Sequence, residues 1–179
     1  MDRDGTINEE VSFLSRMEQL RLYPQAYEAI RLINASGMKA VVVTNQSGIA
    51  RGYFTEDFVC KVHERINEML HTEGAHIDGF YVCPHHPVYG NGIYKQHCEC
   101  RKPKPGMLLQ AAEEMNIDLR RSYMIGDMLK DIEAGKRAGA SAILVKTGYG
   151  PNIVRTDMPA YIAADILEAV RWIMKEREG

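Results

Sequence analysis

Apolar residues recur at helical spacing in some stretches of this chain and collapse into short unbroken runs in others, and the two patterns alternate to its end. Between Pro24 and Ser36, the residues Ala26, Ala29, Ile30 and Ile33 share one helical face. Pro24 suits the first turn, where its missing N–H leaves nothing unpaired, and Gly37 is placed to close the helix. Met38 to Thr44 reads as a buried strand. From Thr55, a helix-capping hydroxyl, the residues Phe58, Val62, Ile66, Met69 and Leu70 mark a second amphipathic helix, with Cys60 expected in the core. A short strand follows at Gly79 to Cys83 and ends at Pro84. Then come a helix over 105–116, a strand over 123–126, a helix over 130–138 closed by Gly139, and a strand over 142–145. A short strand near Tyr161 and a helix from Asp165 to about Lys175 finish the series. Short apolar strands separated by helices predict an α/β fold, a doubly wound parallel sheet covered on both faces, with ligands at the carboxyl ends of its strands. Residues 84–104 keep neither period, so this long loop needs an organising element of its own.

Composition narrows the picture. A chain of 179 residues fits one domain spanning 1–179, large enough to bury a core without cross-links. The net charge is −2 and the basic residues are scattered, which argues against nucleic acid or a membrane surface and for a small-molecule partner. No apolar run approaches the roughly 20 residues of a membrane span and no leader opens the chain, so a cytoplasmic protein is expected, and a monomer. Of four cysteines, Cys83, Cys98 and Cys100 crowd into one histidine-bearing segment, a distribution that suits a metal better than a disulfide framework.

Candidate chemistry gathers at the predicted strand ends. The opening D-R-D-G-T-I-N sets Asp2 and Asp4 two apart, so that one carboxylate can act as nucleophile and metal ligand while the other handles a proton. Taken alone, D-x-D-G also describes a solvated turn. The strand ending in T-N-Q-S-G offers the Thr44 hydroxyl, the Asn45 amide and loop donors to a phosphoryl group, although the same residues favour turns anyway. In R-K-P-K-P-G, Arg101 supplies a bidentate fork and Lys102 a point charge against phosphate. Asp127 lies just past a strand with Asp131 four residues on, and hard oxygen ligands of this kind suit magnesium; a helix N-terminus also favours such charges.

In order, D-R-D-G-T, T-N, the lysine of R-K-P and G-D-x-x-x-D resemble the four motifs of the haloacid-dehalogenase-like phosphatases, over nearly the whole chain. Within them, T-N-Q-S-G-I-A-R-G-Y, C-P-H-H-P and C-x-C-R-K-P-K-P-G-M resemble the D-glycero-D-manno-heptose-1,7-bisphosphate 7-phosphatases, relatives of the histidinol-phosphate phosphatases. The resemblance implies a Rossmann-like fold and removal of the 7-phosphate through an aspartyl-phosphate on Asp2, with Asp4 as proton donor and then water activator. It implies magnesium on Asp2, Asp127 and the main-chain carbonyl of Asp4, with Thr44, Asn45, Gln46 and Lys102 on the phosphoryl group. Arg51 and Arg101 would grip the rest of the sugar phosphate.

The Cys-His pair of C-P-H and the Cys-Cys pair of C-E-C form a set able to close a tetrahedral zinc site: Cys83, His85, Cys98 and Cys100, with His86 and His97 as adjacent alternatives. Four protein ligands make that zinc structural, a staple standing in place of a large cap domain and holding Arg101 and Lys102 over the site. The family's first strand is an apolar run ending at the nucleophile, whereas only Met1 precedes Asp2 here, so that strand is expected to be largely missing. Two other functions compete. Histidinol-phosphate phosphatases share the motifs, but their loop is shorter than the twelve residues between His85 and Cys98. The short start also fits a non-catalytic, zinc-stabilised binding protein.

Overall fold

The computed structural model describes residues 1–152 and 159–178. Among the described residues, five strands, β1 (Val41–Asn45), β2 (Gly79–Cys83), β3 (Tyr123–Gly126), β4 (Ser141–Val145) and β5 (Tyr161–Ala163), are interspersed with five α-helices. The helices are α1 (Pro24–Ala35), α2 (Glu56–His71), α3 (Gly106–Met115), α4 (Leu129–Ala138) and α5 (Ile166–Glu178). Every strand pairing is parallel: β1 with β2, β3 with β4, and β4 with β5.

Between β1 and β3 lies the place of a central strand, and the first two residues occupy its upper end. The Met1 amine donates to the Val41 carbonyl at 2.8 Å, Val43 N–H donates to the Met1 carbonyl at 2.9 Å, and Asp2 N–H donates to the Ile125 carbonyl at 2.8 Å. Met1–Asp2 therefore joins the two halves in the order β2-β1-(1–2)-β3-β4-β5 and delivers Asp2 to the sheet's carboxyl edge. Below Met1 the position opens into a groove of about 790 Å³ walled by Val41, Val43, Tyr123, Ile125, Leu108 and Ile173, among others. Burial, and after it the Lys102 charge, pull the Met1 amine down to about 5.

Strand residues alternate between the two helical layers, as the period of two requires. Val42, Ile125, Ile143 and Val145 are buried with Ile30 and Ile33 of α1, Val62 and Ile66 of α2, and Val170 of α5. Val43 and Met124 face Met107 of α3, while Ala142 and Leu144 face Ile132 of α4. Local signals act where they were read. Pro24 opens α1, the Thr55 side chain accepts from Phe58 N–H at the start of α2, and Gly139 closes α4 at φ +86°. Two expectations are corrected. The predicted strand over 38–44 begins only at Val41, because Lys39 and Ala40 turn to bond the Asp78 carboxylate. Cys60 is exposed: the buried face of α2 runs through Val59, Val62, His63, Ile66 and Leu70, and Cys60 falls on the other side.

Candidate active site

Four segments end around a cavity of about 270 Å³ at the carboxyl edge of the sheet, lined by Asp2, Asp4, Thr44, Asn45, Gln46, Arg101 and Asp127 among others. Behind Asp2, Lys102 is 3 % exposed and wholly satisfied: Nζ lies 2.8 Å from Asp2 Oδ1, 2.7 Å from Asp131 Oδ1 and 2.8 Å from the Val43 carbonyl. Burial opposes its charge, but Asp131 and Asp2 raise its pKa above the usual lysine range. Asp2 Oδ1 also accepts from Arg3 N–H at 2.8 Å, which leaves Oδ2 with no protein donor among the described residues.

Asp2, Asp127 and Asp131 bring carboxylate oxygens within 4.8 Å of one another, all buried. Burial first, then the charges of Asp2 and Asp131, push Asp127 up to about 7 against the pull of Tyr149 N–H, which donates to its Oδ2 at 2.8 Å. Three buried carboxylates with one lysine are short of positive charge, and a hard divalent cation such as magnesium suits that oxygen set. The close approach to Asp127 depends on two glycines at positive φ. A Cβ on Gly5 or Gly148 would press into the Asp127 carboxylate.

Asp4 is set apart from this trio. Its carboxylate takes a fork from Arg3, with Nη2 at 2.9 and 2.8 Å and Nε at 3.2 Å, plus Asn8 Nδ2 at 2.9 Å and Gln46 Nε2 at 2.8 Å. Burial would raise its pKa; Arg3 and these donors hold it below the ordinary carboxylate range. Gln46 also donates to Thr44 Oγ1 at 2.8 Å. The Asn45 amide is occupied with the main chain of Lys102, donating to its carbonyl and accepting from its N–H, both at 3.1 Å. Asn45 thereby clamps the loop that delivers the lysine. Arg51 stacks 3.8 Å above Tyr89 and 5.6 Å from Phe13, outside the residues that line the cavity.

In the loop, Cys83 Sγ lies 3.6 Å from Cys98 Sγ and 3.8 Å from His85 Nδ1, and Cys100 Sγ lies 3.3 Å from both Cys98 Sγ and His85 Nδ1. A tetrahedral Cys3His site has edges of about 3.5 to 3.8 Å, given Zn–S of about 2.3 Å and Zn–N of about 2.0 Å, so the four suit zinc with shifts of a few tenths of an ångström. His86 is turned away and accepts from Val88 and Tyr89 N–H. Cys100, bonded by Cys83, Cys98 and His85, is pulled down to about 5. The His85 carbonyl accepts from Arg101 Nη1 at 3.1 Å, which ties the cluster to an arginine on the cavity wall.

Comparison with known proteins decides the family. Over 149 residues the chain is 48% identical to the D-glycero-beta-D-manno-heptose-1,7-bisphosphate 7-phosphatase of Pasteurella multocida, covering 83% of this chain and 80% of that protein. The chain belongs to the heptose-bisphosphate 7-phosphatase family. The corresponding phosphatase of Thermosynechococcus vestitus is 39% identical over 97% of this chain and 93% of its own. Residues 99–169 match the HAD-hydrolase-like family. The D,D-heptose 1,7-bisphosphate phosphatase of B. bronchiseptica, solved with magnesium and phosphate, superposes with a TM-score of 0.88 at 30% identity, covering 98% of this chain and 96% of that one. The α/β fold of this family is the one the strand–helix alternation predicts.

Sequence reasoning missed several members of this phosphatase-family site. Asp131 was read beside Asp127 as an oxygen ligand for magnesium, and it is also the second carboxylate on Lys102. Tyr149 and Gly148 reach Asp127 from a loop after β4 that carries no motif. Arg3, hidden between the two aspartates, forks Asp4. His63, on the buried face of α2, touches Arg3.

Proposed function

We propose that this chain is a magnesium-dependent phosphatase that removes the 7-phosphate of D-glycero-D-manno-heptose 1,7-bisphosphate. The observation that carries the reading is Asp2: a buried carboxylate with Oδ1 fixed by Lys102 and Arg3 N–H and Oδ2 free beside the cavity. Asp2 attacks phosphorus as the bond to the sugar oxygen breaks, and Asp4, which must enter the cycle protonated against the pull of Arg3, gives that oxygen its proton. Water then attacks the aspartyl-phosphate, loses a proton to Asp4, and releases phosphate with Asp2 restored. Magnesium would be held by Asp2, Asp127 and the Asp4 carbonyl, where it supplies positive charge to the phosphoryl oxygens. Lys102 and the hydroxyl of Thr44 add fixed positive and donor character at the same oxygens. Gln46 orients Thr44 and Asp4 together, Asn45 holds Lys102 in place, and Arg101 in the cavity wall, with Arg51 beyond it, binds the sugar and its second phosphate. Zinc on Cys83, His85, Cys98 and Cys100 orders the loop that carries Arg101 and Lys102, within a single cytoplasmic domain acting as a monomer.

The test is phosphate release from the heptose 1,7-bisphosphate with magnesium and with chelator, beside histidinol phosphate. Selective loss of the 7-phosphate that needs magnesium is the expected result. Preferential turnover of histidinol phosphate, or inertness toward both, would overturn the assignment.

A further inference from the structure

Arg3 is an unusual neighbour for a group that must handle protons. It is 1 % exposed, with Nε and Nη2 committed to Asp4, which leaves Nη1 pointing the other way. Among the described residues the one acceptor that meets Nη1 is His63 Nε2, at 3.3 Å. Arginine offers donors alone, so Nε2 must present its lone pair and the imidazole proton must sit on Nδ1. A doubly protonated ring would set N–H against N–H beside a buried cation. His63 is itself held in place: it sits on the buried face of α2 and stacks on Phe80 of β2, with ring centres 4.2 Å apart and planes 11° from parallel. Burial, then the Arg3 charge, keep it neutral, with its pKa down at about 3.

We propose that His63 is a positioning residue for Asp4, acting through Arg3: its neutral Nε2 fixes Nη1, and the rigid guanidinium fork then sets where the Asp4 carboxylate stands. The inference rests on the acid–base role proposed for Asp4. The planar fork makes the coupling direct, because rotating Nη1 to a new acceptor swings Nε and Nη2 off Asp4. A buried Nη1 left without an acceptor would seek one, since an unmet buried donor is unfavourable. His63 is not among the described residues that line the cavity, so substrate binding does not depend on it directly.

The experiment compares His63→Leu, which deletes the acceptor, with His63→Gln, whose amide oxygen can take the place of Nε2. The readout is kcat/KM on two substrates with magnesium: the heptose bisphosphate, whose alkoxide leaving group needs a proton, and p-nitrophenyl phosphate, whose leaving group does not. The expected result is a loss of about 10- to 100-fold on the sugar phosphate for His63→Leu, a fraction of what a general acid supplies, with a change under about 3-fold on the aryl phosphate. His63→Gln should recover most of the loss, and Asp4→Asn should show the same leaving-group selectivity in stronger form. His63→Asn, polar but too short to reach Nη1, replaces the Leu variant if that fails to fold. Equal losses on both substrates, or no loss on either, would overturn the inference. A crystal structure of the Leu or Asn variant with the Arg3–Asp4 fork unmoved would overturn it even without turnover. Failure of the functional reading is separate, because it shows in the unmodified chain.

Discussion

The two ends of this site are ordered by opposite means. Around Asp2 the structure is made by the sheet: strand ends deliver Asp2, Thr44 and Asp127, and Lys102 is satisfied by two carboxylates and a carbonyl that are themselves buried. Around Cys98 the loop has one short 3₁₀ turn, exposed Val88, Tyr89 and Ile93, and a knot of three sulfurs and an imidazole at its base. The core holds the first region whether or not substrate is present. The second has little apolar burial to offset the entropy of ordering some twenty residues, so its order depends on what binds the knot.

That contrast breaks most sharply at Asp2. Asp2→Asn keeps the shape but removes the nucleophile, and is expected to lower phosphate release by more than about 1,000-fold with little change in the melting curve, read by steady-state kinetics beside calorimetry. Lys102→Met tests the opposite property. It leaves Asp2 and Asp131 buried without their cation, and chemical denaturation should show a loss of about 3–5 kcal/mol besides lost activity. At the other end, Cys100→Ser, or treatment with a strong chelator followed by magnesium replenishment, should open the loop to proteolysis between 84 and 101. It should lower activity by about 10- to 100-fold, while hydrogen exchange in β1, β3 and β4 stays slow. If the central strands lose protection as well, the two regions are one cooperative unit and the contrast fails.

The last effect expected is in the pH dependence of stability. His63 ionises near 6.5 when unfolded and at about 3 in the folded chain, so its folded pKa is depressed. The unfolded chain takes up the proton first as pH falls, so the stabilisation is complete above about 6.5 and is lost progressively down to about 3. Urea midpoints measured across that window should fall with pH in the unmodified chain and flatten in His63→Gln by the share that His63 contributes. An unchanged slope would show that other groups account for it.

The two regions also differ in how far they could be read from the chain alone. The strand–helix alternation, the caps at Thr55 and Gly139, and the four acidic and basic motifs are short-range patterns, and they were legible because a period of two or 3.6 and a capping residue act within a few positions. That the Cys-x-His and Cys-x-Cys pairs gather was legible for the same reason, since closely spaced cysteines and histidines are brought together by one short loop. Harder to see was which polar residues pair across the fold. Arg3 lies 60 positions from His63, and Tyr149 lies 22 from Asp127. Asn45 looked like a phosphate ligand, yet its amide meets a backbone 57 positions away. Cys60 looked like core because its helix is amphipathic, but the phase of the buried face depends on what the helix packs against.

By itself, then, the sequence determined the order of elements, the carboxyl edge where the chemistry gathers and the residue types that gather there, because local propensity and motif spacing encode them. Only the tertiary structure decided that Met1–Asp2 fills the top of a central strand position, that Lys102 is shared between Asp2 and Asp131, and that Asp4 is held through Arg3 by a histidine on α2. Those contacts join segments remote along the chain, and a buried charge takes whichever partner the closed sheet brings within reach.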